Sequence, residues 1–98
     1  MDSAAVDTKD NPSKHRYEAR VDGELAGFAE YELGDGVITF VHTVVEDAYE
    51  GEGVGSSLAR DALDSVRRDG ELQVVAKCEF IKEWIERHPD YQDLLDER

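Results

Sequence analysis

The sequence predicts an α/β fold: three antiparallel strands, a helix, a further strand reached by a parallel crossover, and C-terminal helices. Three observations carry this reading. Strand-like segments between His15 and Val45 are separated by Asp-Gly turn chemistry, a glycine-rich stretch opens an amphipathic helix, and a short apolar run follows that helix.

The 98 residues leave room for one domain. Segment 1–14 has no apolar period and reads as a disordered tail, with the domain over 15–98. That tail has neither the charged-then-apolar pattern of a secretion signal nor a membrane span. Tyr17, Ala19 and Val21 then alternate with charged residues, and Asp22-Gly23 supplies a hairpin turn tolerant of positive φ. A second strand runs from about Glu24 to Leu33, and Gly34-Asp35-Gly36 makes the next turn. The third strand, Val37–Val45, is apolar on both parities and so is expected at the centre of the sheet.

After the glycines, Val54, Leu58, Ala62 and Val66 form one helical stripe, and Gly70 is placed to end it as the C′ residue. Leu72 to Ala76 reads as a short buried strand, parallel to the third because a helix lies between them. In the second helix Ile81, Trp84, Ile85 and His88 share a face. Pro89 stops the run, and Tyr91, Leu94 and Leu95 suggest a last helical turn docking on the core.

The stretch Tyr49 to Ser57 holds alternate glycines at 51, 53 and 55 just before a helix. Without Cβ atoms, successive backbone N–H groups can turn toward one anion, and the helix N-terminus adds positive potential. It reads as a phosphate cradle, with a plain tight turn as the alternative. The dinucleotide fingerprint does not fit, since the third glycine comes too soon and hairpins precede it. No Gly-Lys-Ser/Thr follows, so it is not a Walker loop either.

The formal net charge is −13, from 24 acidic and 11 basic residues, which argues against nucleic acid or anionic membrane as partner. Spread acids and only four lysines suit a protein adapted to high salt. The single cysteine, Cys78, excludes an intramolecular disulfide. With three scattered histidines it also lacks zinc-site spacing, so no metal site is expected and a reducing cytoplasm is the expected setting.

The order of strands, glycine loop, helix, strand, Cys-x-Phe and helix resembles the GNAT acyltransferase superfamily, specifically its smallest acetyltransferase-like members. The matching pieces are His42-Thr43 with Val45, Glu50-Gly51-Glu52-Gly53-Val54-Gly55-Ser56, Cys78-x-Phe80, and His88-Pro89-Asp90-Tyr91, within roughly His15 to Leu95. The resemblance implies a minimal GNAT-like fold that binds acetyl-coenzyme A (acetyl-CoA). Val44 and Val45 would pair with the pantetheine arm, and Gly51, Glu52, Gly53, Val54, Gly55 and Ser56 would hold the phosphates. This chain departs from the pattern in carrying Glu50 and Glu52 where basic or amide residues are common, and Glu79 where the small family has proline.

Cys78 falls at a strand-to-helix junction, where N–H groups and the helix dipole favour a nucleophilic thiol; the alternative is a buried inert one. It could accept the acetyl group or only protonate the departing coenzyme A thiolate. His42 is the candidate general base, or else a histidine bonded to backbone. Lys82 and Arg60 are placed to reach a coenzyme A phosphate, or are solvated charges. The function expected is acetyl-CoA-dependent N-acetyl transfer to an unidentified amine, on a protein or otherwise, by a monomer or homodimer with an open site. The rival readings are a non-catalytic acyl-CoA-binding module and an interaction domain with a degenerate glycine loop.

Overall fold

The computed structural model describes residues 6–96. The strands are β1 (Val6–Asn11), β2 (Arg16–Val21), β3 (Glu24–Gly34), β4 (Val37–Val45) and β5 (Gln73–Ala76); the helices are α1 (Val54–Asp69) and α2 (Glu79–Glu86). Short 3₁₀ turns occupy Pro12–Lys14, Asp47–Tyr49 and Pro89–Leu94. The sheet order follows the chain, β1-β2-β3-β4-β5, with antiparallel pairs up to β4 and β5 parallel to β4.

The hairpin turns form as their residues dictate. Asp22 and Gly23 have φ of 53° and 83°, and Asp35 and Gly36 have 55° and 76°. Two successive positive φ values make the turn whose twist matches that of the flanking strands.

The expectation of a disordered segment over 1–14 is corrected for residues 6–14, where β1 and a 3₁₀ turn add a fourth antiparallel strand; residues 1–5 lie outside the described ones. β1 pairs with β2 from Val6↔Val21 to Asn11↔Arg16. An edge strand needs no apolar alternation when the ladder and a few polar contacts hold it. Here Tyr31 donates to Asp10 at 2.6 Å, and Asn11 donates to Glu18 at 3.2 Å. Burial first, then the bond to Asp10, raise the titration of the Tyr31 phenol well above its ordinary value.

Both helices pack on one face of the sheet. Tyr17, Ala19, Val21, Ala29, Tyr31, Ile38, Phe40 and Val74 meet Leu58, Ala62, Leu63 and Val66 of α1 and Ile81, Trp84 and Ile85 of α2 in one buried cluster. Gly70 ends α1 at φ 75°, its N–H bonded to the Val66 carbonyl. After α2 the chain folds back, with Leu94 buried, Tyr91 donating to Asp64 at 2.7 Å, and Asp96 N–H donating to the Val74 carbonyl at 2.8 Å.

β4 lies between β3 and β5, as expected for a central strand, but only one of its faces is covered. Its alternate residues Val37, Thr39 and Val41 are half-buried. On that uncovered face Glu18, Phe28 and Val44 form one cross-strand row and Arg16, Glu30 and His42 another. Glu18 is nevertheless 7% exposed, because Arg16 and Arg20 close over it at 2.8 and 3.1 Å, and Arg16 also lies 4.3 Å from the centre of the Phe28 ring.

Burial alone would raise the Glu18 titration, but hydrogen bonds from Arg16, Asn11 and Arg20 outweigh it and hold the carboxyl below its usual range. A depressed folded value contributes stability above the unfolded value and loses it as pH falls through the folded one. Glu18→Gln is therefore expected to cost about 1–3 kcal/mol at neutral pH. It should also flatten the acid limb of the stability profile, read by urea melts between neutral and acidic pH; an unchanged limb would mean that other carboxylates set it.

Candidate functional site

The 3₁₀ turn Asp47–Tyr49 carries the chain off β4 into the glycine stretch. Gly51 and Gly53 have φ of 84° and 80°, a conformation open to glycine and strained for most side chains. Gly53 is the N-cap of α1 and no side chain caps the helix; its first intrahelical bond is Ser57 N–H to the Gly53 carbonyl, at 3.0 Å. The first-turn N–H groups are thus left to the adjoining cleft. This cleft, of about 240 Å³, is lined by Val45, Tyr49, Glu50, Gly51, Gly53, Val54, Gly55, Ser56 and Phe80.

Two further glycines set the approach of its walls. A Cβ on Gly55 would stand 2.8 Å from the Phe80 ring, so the aromatic closes directly over the start of α1. A Cβ on Gly27 in β3 would stand 2.6 Å from the Val44 carbonyl oxygen and 3.3 Å from Val54 Cγ1. The end of β4 and the start of α1 can therefore meet only over a bare backbone.

β4 and β5 separate beside this cleft. Pairing runs from Val37↔Gln73 to Phe40↔Ala76 and stops, with the N–H groups of Lys77 and Cys78 both donating to the Phe40 carbonyl at 3.0 Å. On the other side, Tyr31 faces Phe40 and Glu30 faces His42, which leaves Val41 as an extra residue in a bulge. From His42 to Val45, β4 is paired with β3 on one edge and, among the described residues, with no strand on the other. That free edge can pair with an extended ligand, as an open strand edge pairs with a peptide.

Of the residues singled out in the sequence, Val45, Gly51, Gly53, Val54, Gly55 and Ser56 come together in the cleft. Val44 is next to it on the free edge. Glu50 is part of the lining, whereas Glu52 is exposed and outside it. Lys82 is exposed and does not line this cleft.

Cys78 is 7% exposed at the N-cap of α2, and its thiol donates to Thr43 Oγ1 at 3.2 Å. Thr43 lies two residues along β4 from Val45, about 7 Å at strand rise, and on the same face. His42 is exposed and, one residue away on an extended strand, points to the opposite face; the structure does not place it beside Cys78.

Sequence reasoning gave Tyr49, Thr43 and Phe80 no role of their own; Thr43 and Phe80 entered only as parts of the His42-Thr43 and Cys78-x-Phe80 motifs. Phe80 had a legible signal, since it lies off the buried Ile81, Trp84, Ile85 stripe of a short helix and is 41% exposed. The contact of Thr43 with Cys78 had none, because only the divergence of β5 brings Cys78 to it.

A sheet with four antiparallel strands, a bulged β4 diverging from a parallel β5, and a glycine turn at a helix N-terminus between them is the fold of the GNAT acetyltransferases. A family model described as GCN5-related N-acetyl-transferase matches residues 16–94, and the chain belongs to that family as a small member.

Among its relatives are the proteins named Protein NATD1 of Gallus gallus and Homo sapiens, each 33% identical over 57 residues, or 58% of this chain. The match covers 51% of the first and 50% of the second, so the chain spans about half the length of the curated relatives it matches. A solved structure, the acetyltransferase of GNAT family from Streptococcus pneumoniae, shares the fold with a TM-score of 0.59 over 76% of this chain and 52% of that one, at 16% identity.

Proposed function

We propose that this chain is an acetyl-CoA-dependent N-acetyltransferase acting on an amine. The carrying observation is the continuity of the uncapped α1 N-terminus, the glycine cleft and the free edge of β4, which meets the cleft at Val45 and carries Thr43, the partner of the buried Cys78 thiol. The residues fit the cofactor: a bare, positive-φ turn suits a pyrophosphate, and an unpaired strand edge suits an amide-bearing arm. Acetyl-CoA would supply an activated acetyl thioester.

In this reading Gly51 to Ser56 hold the phosphates through backbone amides, and Val44 and Val45 pair with the arm. Glu52 contributes its amide, its carboxylate being outside the cleft. Lys82 remains an outlying positive charge for the phosphates. The Cys78 thiol, oriented by Thr43, gives its proton to the departing thiolate as the amine nitrogen bonds to the acetyl carbon. His42, on the uncovered face, takes the proton the ammonium acceptor loses. Both this role and the alternative of an acetyl-cysteine need the buried Cys78 thiol to become accessible to the thioester. The side chain's burial also favours, as a second reading, an acyl-CoA-binding module without turnover.

The test is titration with acetyl-CoA by calorimetry, at low salt and in molar potassium chloride, followed by coenzyme A release with amine acceptors. Binding should tighten with salt, which screens Glu50 and the net negative charge. Cys78→Ala should bind normally but turn over about 100-fold more slowly, and His42→Gln should lose the acidic limb of the pH–rate profile. Full transfer by Cys78→Ala would remove the thiol from the mechanism, binding without release would favour the module, and no binding in either salt would overturn the proposal.

A further inference from the structure

The free edge of β4 has two sides, and they differ in what they offer. β5 closes the edge at Phe40, opposite Ala76, so an extended ligand entering from the glycine cleft at Val45 has room only as far as Thr43 and His42. On the helix side of that end the Cys78 thiol is buried against Thr43. On the other side stands the exposed His42, and directly opposite it in β3 is Glu30, half-buried. Resting on the acetyl-CoA reading above, we infer that the acceptor comes in over this uncovered face and is a diamine, one nitrogen being acetylated beside His42 while Glu30 holds a second ammonium.

The bulge makes this juxtaposition. A regular ladder continued from Gly34↔Val37 through Tyr31↔Phe40 would set Glu30 opposite Val41; the extra residue shifts the pairing by one and puts His42 there instead. Residues opposed in this way share a face, with Cβ atoms about 5 Å apart. Place singles Glu30 out among the carboxylates of this face: Arg16 and Arg20 already close over Glu18, and Glu32 lies opposite Thr39. Arg16 is the neighbour of Glu30 in β2, but its guanidinium is turned to Glu18 at 2.8 Å and to the Phe28 ring at 4.3 Å. The charge of Glu30 is left to a ligand.

The span selects the length of that ligand. An arm bonded along β4 lies one strand spacing outside it and Glu30 lies one spacing inside, about 10 Å in all. A hydrogen bond to the carboxylate takes up about 3 Å of this and leaves about 7 Å between the two nitrogens. A chain of about four carbons bridges that distance, and half-buried Val44, two residues from His42 on the same face, gives it an apolar surface. The first nitrogen bonds to the acetyl carbon as the carbon–sulfur bond breaks. His42 takes the proton that nitrogen loses, the thiolate leaves with the one from Cys78, and the second ammonium stays charged on Glu30.

The experiment measures coenzyme A release from acetyl-CoA with diaminobutane, an amine at each end, against butylamine, for the wild type, Glu30→Gln and Glu32→Gln. The wild type should show a kcat/KM about tenfold higher for the diamine, beyond the twofold that its two ends give by number. The formal net charge of −13 attracts any dication, and Glu32→Gln controls for this by removing the same charge from the same face. Glu30→Gln should erase the preference by raising KM for the diamine, with butylamine turnover and acetyl-CoA affinity unchanged; Glu32→Gln should keep most of it. Equal use of both amines by the wild type, a preference kept in Glu30→Gln or lost equally in Glu32→Gln, or acetyl-CoA binding with turnover of neither amine, overturns the diamine assignment and leaves the cofactor reading standing. No binding of acetyl-CoA overturns that reading, and the acceptor site with it.

Discussion

Gly53→Asp is expected to lose acetyl-CoA affinity by two orders of magnitude or more while remaining folded. The position holds φ 80° at the N-cap of α1, facing the cleft. Aspartate is among the few side chains that tolerate this conformation, and Asp22 and Asp35 already do so here at 53° and 55°. It is also a favoured N-cap residue, so its carboxylate can satisfy first-turn amides and hold α1 in place.

The same carboxylate occupies the donors a pyrophosphate needs and adds a like charge beside it. At about 4 Å and an effective dielectric near 20 that repulsion is roughly 4 kcal/mol per unit charge, before screening. A partial share of it corresponds to the expected loss. Calorimetry reads the affinity, and a melting temperature within a few degrees of wild type establishes that the fold survived. Undiminished binding by a folded Gly53→Asp protein would move the ligand away from this turn.

Gly27→Ala is expected to be the more damaging change to the fold, although it lies in β3 and adds one methyl group. The new Cβ would sit 2.6 Å from the Val44 carbonyl oxygen, a backbone atom held by the β3–β4 ladder, and 3.3 Å from Val54. Neither neighbour can swing aside as a flexible side-chain end would, so β4 must move away from β3 or α1 must rise. Overpacking of this kind costs about 1–3 kcal/mol, or a fall in melting temperature of roughly 5–20 °C for a domain of this size. Because Val44 and Val45 form the free edge beside the cleft, acetyl-CoA affinity should fall as well, even well below the melting temperature. A variant as stable as wild type would mean that the β4 end is more compliant than its contacts indicate.

The legible parts were those in which a residue acts on its immediate neighbours. Asp22-Gly23 and Asp35-Gly36 dictate their turns through φ, the Val54–Val66 stripe makes its own helix, and Gly70 closes it. The glycines at 51, 53 and 55 announced a turn before a helix, with positive φ realised at Gly51 and Gly53; that the Phe80 ring covers Gly55 was not legible. β1 was missed because an edge strand held by a backbone ladder and by Asp10 and Asn11 carries no apolar signature.

Long-range partners were silent in the sequence for a related reason. Gly27 is one more small residue in a strand until β4 and α1 close on it, and Glu30 resembles any surface glutamate until the bulge at Val41 sets it opposite His42. By itself the sequence determined the order of the elements from β2 onward and the glycine turn, both set by local backbone preference and side-chain type. Only the tertiary structure decided that Cys78 meets Thr43 across 35 positions while His42 faces away. The cause is the bulge at Val41 and the departure of β5 after Ala76, which open one edge of β4 and sort adjacent residues onto opposite faces of the sheet.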